Sequence, residues 1–404
     1  MTGATPPNPV VDFPAFAVSC GEEGSDPLVL HEGRTVRVDE YRASGHLEHL
    51  DRDLADVAAL GVQVWRYGMP WRLAEPAPGV YDWALWDRAL DACRRHDLIP
   101  VIDLCHFGLP DHYGGFCEPD WVEGFGRYVD AFLARYPEPV WFTPVNEPGI
   151  TALFSARLGM WNDRRATEDD YFVALANIVT ANLEALRRIR ADRDGWWIGS
   201  EGFGCELADP ADEGGIRAAT DARDLQQLVW DLHLGVAPRG VGARFTDVAT
   251  EAVQERITGL VGVVPADRII AGHDIYPVSV APHGTMAARP LSIGDRVAAY
   301  EAEATAWFDR YRVPFWVSET SNLGLPVEQG TEWLEALTAS LATMTRRGLP
   351  VRGICWYSRG DQFDWDTALT VPIGTVTEVG LFDADRRARP VAQAYAALAA
   401  RGRA

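Results

Sequence analysis

Several features that would place this chain in a simple class are missing from it. No apolar stretch approaches the roughly 18–20 residues needed to cross a bilayer. The opening residues, MTGATPPNPVVDF, carry neither a basic segment nor an apolar core of the kind that directs secretion. Cysteine is scarce: Cys20, Cys93, Cys105, Cys117, Cys205 and Cys355 lie far apart and form no Cys-x-x-Cys pair. That scatter argues against a compact disulfide framework or a cysteine zinc site and suits reduced, buried thiols. The nine histidines form no His-Glu-x-x-His, so no metal and no cofactor are expected. No Gly-x-Ser-x-Gly follows an extended run, which removes a serine nucleophile elbow. The segment GVGAR at 240–244 lacks the third glycine of a dinucleotide fingerprint. Positive charge is short as well. Against 58 acidic residues stand 37 basic ones, a net charge of −21, and such a surface repels phosphate backbones and anionic lipid. Nucleic acid and membrane are therefore not expected as partners, the acidity serves solubility and is compatible with a neutral substrate, and a cytoplasmic enzyme is expected.

What is present is enough apolar material for a large core, 47% of the residues with 24% charged. The Pro-rich residues 1–13 read as a flexible tail, and 14–404 as one folded unit. Short β-branched and aromatic runs recur at 13–19, 62–67, 99–106, 140–146, 196–201, 269–276, 315–319 and 353–357. Between them lie stretches with apolar residues three and four apart, among them 47–61, 171–190 and 332–348. Extended runs that are apolar throughout belong in a parallel sheet covered by helices. Eight strand–helix alternations predict an α/β protein with a single (β/α)8 TIM barrel, which needs about 250 residues and can exceed 400. Polar segments at 205–223 and 366–379 are expected to be loops shaping a pocket mouth.

Barrel enzymes place their chemistry on the C-terminal ends of the strands. Those ends here carry Arg66, His106, Asn146 with Glu147, Glu201, Asp274 with Tyr276, Glu319, and Trp356 with Tyr357. Polar groups closing an apolar run are costly to bury unless they are paired or used. Glu147 ends the fourth run and Glu319 the seventh, on opposite sides of an eight-stranded mouth. Two carboxyl groups roughly 5–5.5 Å apart across a ligand are what a retaining glycosidase requires. Glu319 is expected to be the nucleophile, held ionised by Arg66 and by a hydrogen bond from Tyr276. Glu147 is expected to be the acid/base, its proton retained because the charge of Glu319 faces it.

With these residues in view, the sequence resembles glycoside hydrolase family 1, the β-glucosidase family, or its wider clan of (β/α)8 retaining enzymes, from about residue 14 onward. WRYGMPW (65–71) with EPAPGVYDW (75–83) resembles the family's second-strand arginine motif, and VIDLCHFGLP (101–110) its third-strand histidine segment. VNEP (145–148) matches the acid/base motif, and GHDIYP (272–277) resembles the sixth-strand segment, with Asp274 where asparagine is usual. GICWYSRGDQFDW (353–365) aligns without gaps to the eighth-strand segment. The resemblance implies catalytic roles for Glu147, Glu319, Arg66, Asn146 and Tyr276. It implies substrate contacts for His106, Phe107, Trp356, Tyr357, Asp364, Trp365, Glu22 and Glu23.

The departures fall on sugar recognition. The nucleophile segment reads Ser318-Glu319-Thr320-Ser321 in place of Thr-Glu-Asn-Gly, and the first-strand Gln-x-Glu-Gly has become Gly21-Glu22-Glu23-Gly24. Phe107 stands where tryptophan is usual, Tyr357 at a platform tryptophan and Asp364 at a sugar-gripping glutamate. The expected activity is retaining cleavage of a small β-glycoside. An endo-glycanase, a transglycosidase and a non-catalytic sugar-binding barrel are the alternatives.

Overall fold

The structure, a computed structural model, describes residues 12–402, so residues 1–11 of the expected tail lie outside the described residues. Eight strands alternate with eight principal helices. The strands are β1 (Ala17–Glu23), β2 (Val64–Gly68), β3 (Ile99–Asp103), β4 (Trp141–Thr143), β5 (Trp196–Ile198), β6 (Ile269–Asp274), β7 (Phe315–Thr320) and β8 (Val351–Tyr357). Each pairs in parallel with its neighbours in sequence, and β8 pairs with β1 to close the barrel. The (β/α)8 expectation is met.

The helices that follow the strands in turn are α1 (His46–Ala59), α2 (Ala84–Arg95), α3 (Asp120–Arg135), α4 (Glu168–Asp192), α5 (Glu213–Leu234), α6 (Ile293–Tyr311), α7 (Gly330–Arg346) and α8 (Pro390–Gly402). Helix α1 shows why they form and where they face. Its buried Leu50, Leu54 and Val57 recur at helical spacing and make one apolar stripe against the barrel. Helix α6 starts at a capping box in which Ser292 and Asp295 satisfy each other's backbone N–H groups. No helix among the described residues is long and apolar enough to cross a membrane. All six cysteines are buried and free.

Two expectations about element boundaries are corrected. The first strand begins at Ala17, not at residue 13. Phe13 instead plugs the N-terminal end of the barrel, its ring 5.0 Å from Trp141 and 5.5 Å from Trp316. It is therefore core. The segment 205–223 is not a loop either. Cys205–Ala208 forms a strand parallel to Val280–His283, and the rest enters α5. Buried Cys205 and Val280 give that small sheet an apolar anchor, which a count of polar residues overlooks. Residues 366–379 do remain largely loop, crossed by a short hairpin between Gln362–Phe363 and Val376–Thr377.

Candidate active site

The site is assembled from the inward-facing ends of the strands. In the sheet register Gly21 lies beside Arg66 and Arg66 beside Val101, so Glu23 and Asp103, each two residues on, share its inner face. Arg66 is fully buried. One guanidinium nitrogen donates to Glu23 Oε1 at 2.9 Å and to Glu319 Oε1 at 2.5 Å. The other donates to Asp103 Oδ2 at 3.1 Å and to Asn146 Oδ1 at 2.5 Å. One planar cation thus ties together β1, β2, β3, β7 and the loop after β4, a role suited to the fixed fork of arginine. His106 packs its Nδ1 2.8 Å from Asp103 Oδ2, which makes Nδ1 the donor and leaves Nε2 for a ligand. The amide Nδ2 of Asn146 is buried without a protein partner.

Glu319 has both oxygens occupied, one by Arg66 and the other by the Tyr276 hydroxyl, which donates at 2.6 Å. Glu147 sits differently. It lies beyond the end of β4 with φ at +38°, its N–H on the Ser200 carbonyl and its own carbonyl capping Thr151. That left-handed backbone is costly for a non-glycine residue and marks a place where geometry is enforced by the surroundings. Burial pushes the Glu147 carboxyl well above the usual range, and the charges of Asp274, Glu319 and Glu201 push it further. The direction is the expected one, but its causes differ. Desolvation leads, and Asp274 stands ahead of Glu319.

One oxygen from each of Glu147, Asp274 and Glu319 lies within 4.8 Å of the other two. Such a trio can suggest a divalent cation. Here Arg66 and Tyr276 already occupy Glu319, and Ser200 and Ser318 hydroxyls donate to the two oxygens of Asp274 at 2.6 and 2.5 Å. Each of these four carboxylate oxygens thus already accepts a hydrogen bond from a protein donor. Close packing makes this possible, since a Cβ on Gly272 would lie 2.0 Å from the Gly199 carbonyl and 2.3 Å from Ser318 Oγ.

Above these groups opens a cavity of about 750 Å³ at the C-terminal mouth, lined by Glu147, Glu319, Tyr276, His106, Phe107, Tyr357 and Trp365 among others. Arg66, Asn146 and Glu23 lie beneath its lining. Glu23 was expected to touch substrate; its side chain is fully buried on Arg66, and burial, then Glu319 and Asp103, raise its pKa against the pull of that cation. Glu22 points the other way, out of the barrel, where its Oε2 accepts the Gly360 N–H at 3.2 Å. Trp356 is likewise misplaced by the expectation. It alternates with inward-facing Tyr357, and it is buried against Tyr395 with Nε1 on the Val379 carbonyl. Asp364, expected to contact substrate, is outside the cavity lining and grips a loop, its two oxygens accepting the N–H groups of Gly374 and Thr375 at 2.9 and 2.7 Å.

Several lining residues escaped the sequence reading. Gln362 accepts the Tyr357 hydroxyl at 3.2 Å, and Tyr171, Glu206 and Arg157 come from beyond the strand ends. Ser200 and Ser318, each preceding a strand-end glutamate, carried a positional signal that was available. The lining holds six carboxyl-bearing residues, Glu147, Glu201, Glu206, Asp274, Glu319 and Asp366, against one arginine, Arg157. Glu201 takes the N–H groups of Gly149 and Gly202, yet burial still pushes it to about 8.

The profile described as Glycosyl hydrolase family 1 matches residues 30–263. The chain is 21% identical to "Probable inactive beta-glucosidase 14" of Oryza sativa subsp. japonica over 396 residues, 82% of this chain and 77% of that protein. It is 28% identical to the 6-phospho-beta-galactosidase of Lacticaseibacillus rhamnosus over 152 residues, 34% of this chain and 32% of the relative. Among solved structures it is similar to the family 1 β-glucosidase from Thermotoga maritima, with a TM-score of 0.78, 16% identity and 98% of each chain covered.

Proposed function

Since the chain belongs to glycosyl hydrolase family 1, whose profile spans more than half of its length, we propose that it is a retaining β-glycosidase acting on small, neutral β-glycosides. The observation that carries the reading is the pair Glu147 and Glu319, with carboxyl oxygens within 4.8 Å across the mouth and unlike surroundings. That approach accords with the closer carboxyl spacing of retaining enzymes, about 5–5.5 Å, and not with the roughly 6.5–9.5 Å of inverting ones. Glu319, hydrogen-bonded at both oxygens, attacks the anomeric carbon. Glu147, protonated because it is buried among other acids, gives its proton to the leaving oxygen. Esterification then removes the charge of Glu319, the pKa of Glu147 falls, and it becomes the base that activates water. The profile match ends before Glu319, so the nucleophile rests on geometry. In this chain both carboxyl groups, Glu147 and Glu319, are present and face each other.

Retention is checked by NMR of the first-formed anomer released from a nitrophenyl β-glycoside; a predominantly inverted product would refute the mechanism. Glu147→Ala is expected to lose about 10²- to 10⁴-fold with poor leaving groups, and added azide should restore turnover as a β-glycosyl azide. An unrescued variant would remove Glu147 from the acid/base role.

A cavity of this size encloses a small ligand better than a polymer chain, which favours exo action over the endo alternative. Its charge speaks to the glycone. Some relatives are named for 6-phosphoglycosides, but the lining offers a phosphate one arginine, Arg157, and sets Glu206, Glu319 and Asp366 in the same cavity. Two unit charges 4 Å apart at a protein surface interact by about 4 kcal/mol. A neutral nitrophenyl glycoside is therefore expected to exceed its 6-phosphate in kcat/KM by at least about tenfold, the equivalent of roughly 1.4 kcal/mol. The reverse preference would overturn the neutral-substrate reading. Six free, buried cysteines support a reducing, cytoplasmic setting.

A further inference from the structure

Asp274 is the one acid of the central trio to which the proposed reaction gives no task. It ends β6 directly opposite Glu319 in the sheet register and is 1% exposed. A residue there that only needed hydrogen bonds could be an amide. This chain has a carboxyl group, supported on both oxygens by Ser200 and Ser318 and brought within 4.8 Å of Glu147 and Glu319. The charges of the trio are not equally balanced. Glu319 has Arg66 and the Tyr276 hydroxyl. The charges that act most on Glu147 are acidic: Asp274 from β6, Glu319 from β7 and Glu201 beyond the end of β5, while His106 and Arg157 line the same cavity. Arg66, from β2, acts on Asp274 at longer range, and Tyr276 is a neutral phenol beside all three.

We propose that Asp274 is a positioning residue that shares a proton with Glu147, keeping the acid/base loaded before glycosidic cleavage and strengthening it as a base afterwards. This rests on the reading of Glu147 as acid/base. In the first half-reaction the proton goes from the pair to the leaving oxygen, which takes the electron pair of the breaking C1–O bond while Glu319 bonds to C1. Glu147 is then a carboxylate beside Asp274, with the ester of Glu319 uncharged. Repulsion within the pair makes Glu147 readier to take a proton from water as the oxygen of that water bonds to C1 and Glu319 departs with its electrons. The titration directions agree with this geometry. Burial, then Glu319, pushes Asp274 to about 8 despite Arg66 and the two serines, and Glu147 lies well above the usual range. The two lose their proton as a pair.

The test is the pH profile of kcat/KM for Asp274→Asn, with Asp274→Ser as a second uncharged variant that keeps a hydroxyl for the two serines. With a phenyl glycoside, whose leaving group needs a proton, the alkaline limb is expected to move down by about one pH unit or more. With a dinitrophenyl glycoside, which needs none, the alkaline limbs of variant and wild type should coincide. A residue that only holds the fold would lower kcat/KM equally at every pH and leave the phenyl limb where it was. An unmoved phenyl limb in either folded variant overturns the inference. If azide rescues Glu147→Ala while that limb stays put, only the role of Asp274 falls. If azide does not rescue, the reading beneath it falls.

Discussion

Glu319→Gln is expected to lose on the order of 10⁴-fold or more in kcat, the scale seen when a covalent nucleophile is removed. The size follows from what the side chain does. Without it no glycosyl-enzyme ester forms, and a water would have to attack from a position that Arg66 and Tyr276 already crowd. Glutamine keeps the shape and one carbonyl acceptor for Arg66, so the fold should survive. A 2-fluoro glycoside with a good leaving group should label the wild-type peptide containing Glu319, read by mass spectrometry, and should leave Glu319→Gln unlabelled. Equal turnover in variant and wild type, or a label on another residue, would sink the assignment.

Arg66→Met should be the most destabilising single change in the site. The guanidinium is fully buried and is shared among Glu23, Asp103 and Glu319, which are nearly or wholly buried themselves. Removing one partner of a buried ion network leaves charge without compensation, at about 3–5 kcal/mol. Against a typical total stability of roughly 5–15 kcal/mol that is a large share. At about 2 °C per kcal/mol for a chain of this size, Tm should fall by roughly 6–10 °C. Lysine at this position keeps the charge but cannot fork to four acceptors, so Arg66→Lys should lie between the two. The pH dependence has a definite sign. Glu23 already has a raised carboxyl pKa in the fold, so its contribution is favourable at acid pH and is lost as pH rises. The deficit of Arg66→Met should therefore shrink in mild acid and widen toward alkaline pH. A melting curve within a degree or two of wild type would show that the network contributes little.

The parts of this site legible in the sequence were those that depend on position along one strand. Arg66, Glu147, Asp274, Tyr276 and Glu319 all close apolar runs, and a barrel sends such ends to one mouth. The misplaced residues fail for a common reason, which is direction. Trp356 and Tyr357 are neighbours, as are Glu22 and Glu23, and in a strand one of each pair must face outward. Of these four, only Tyr357 lines the cavity. Asp364 required more than alternation, because its carboxylate is consumed by the backbone of a loop ten residues farther on. Phe13 belongs to the core because its ring packs against Trp141 and Trp316 at the end of the barrel away from the site, a contact its proline-rich neighbours do not disclose.

The sequence alone determined the number of strand–helix alternations and the pair of glutamates that end the fourth and seventh strands. Both are local properties, carried by periodicity and by the polar residue that stops each apolar run. Tertiary structure alone decided that Glu147 and Glu319, far apart in the chain, come within 4.8 Å, and that Asp274 joins them. It also decided that Arg66 draws five segments onto one cation. Those facts depend on barrel closure and strand register, and closure brings together residues whose separation along the chain carries no record of their approach.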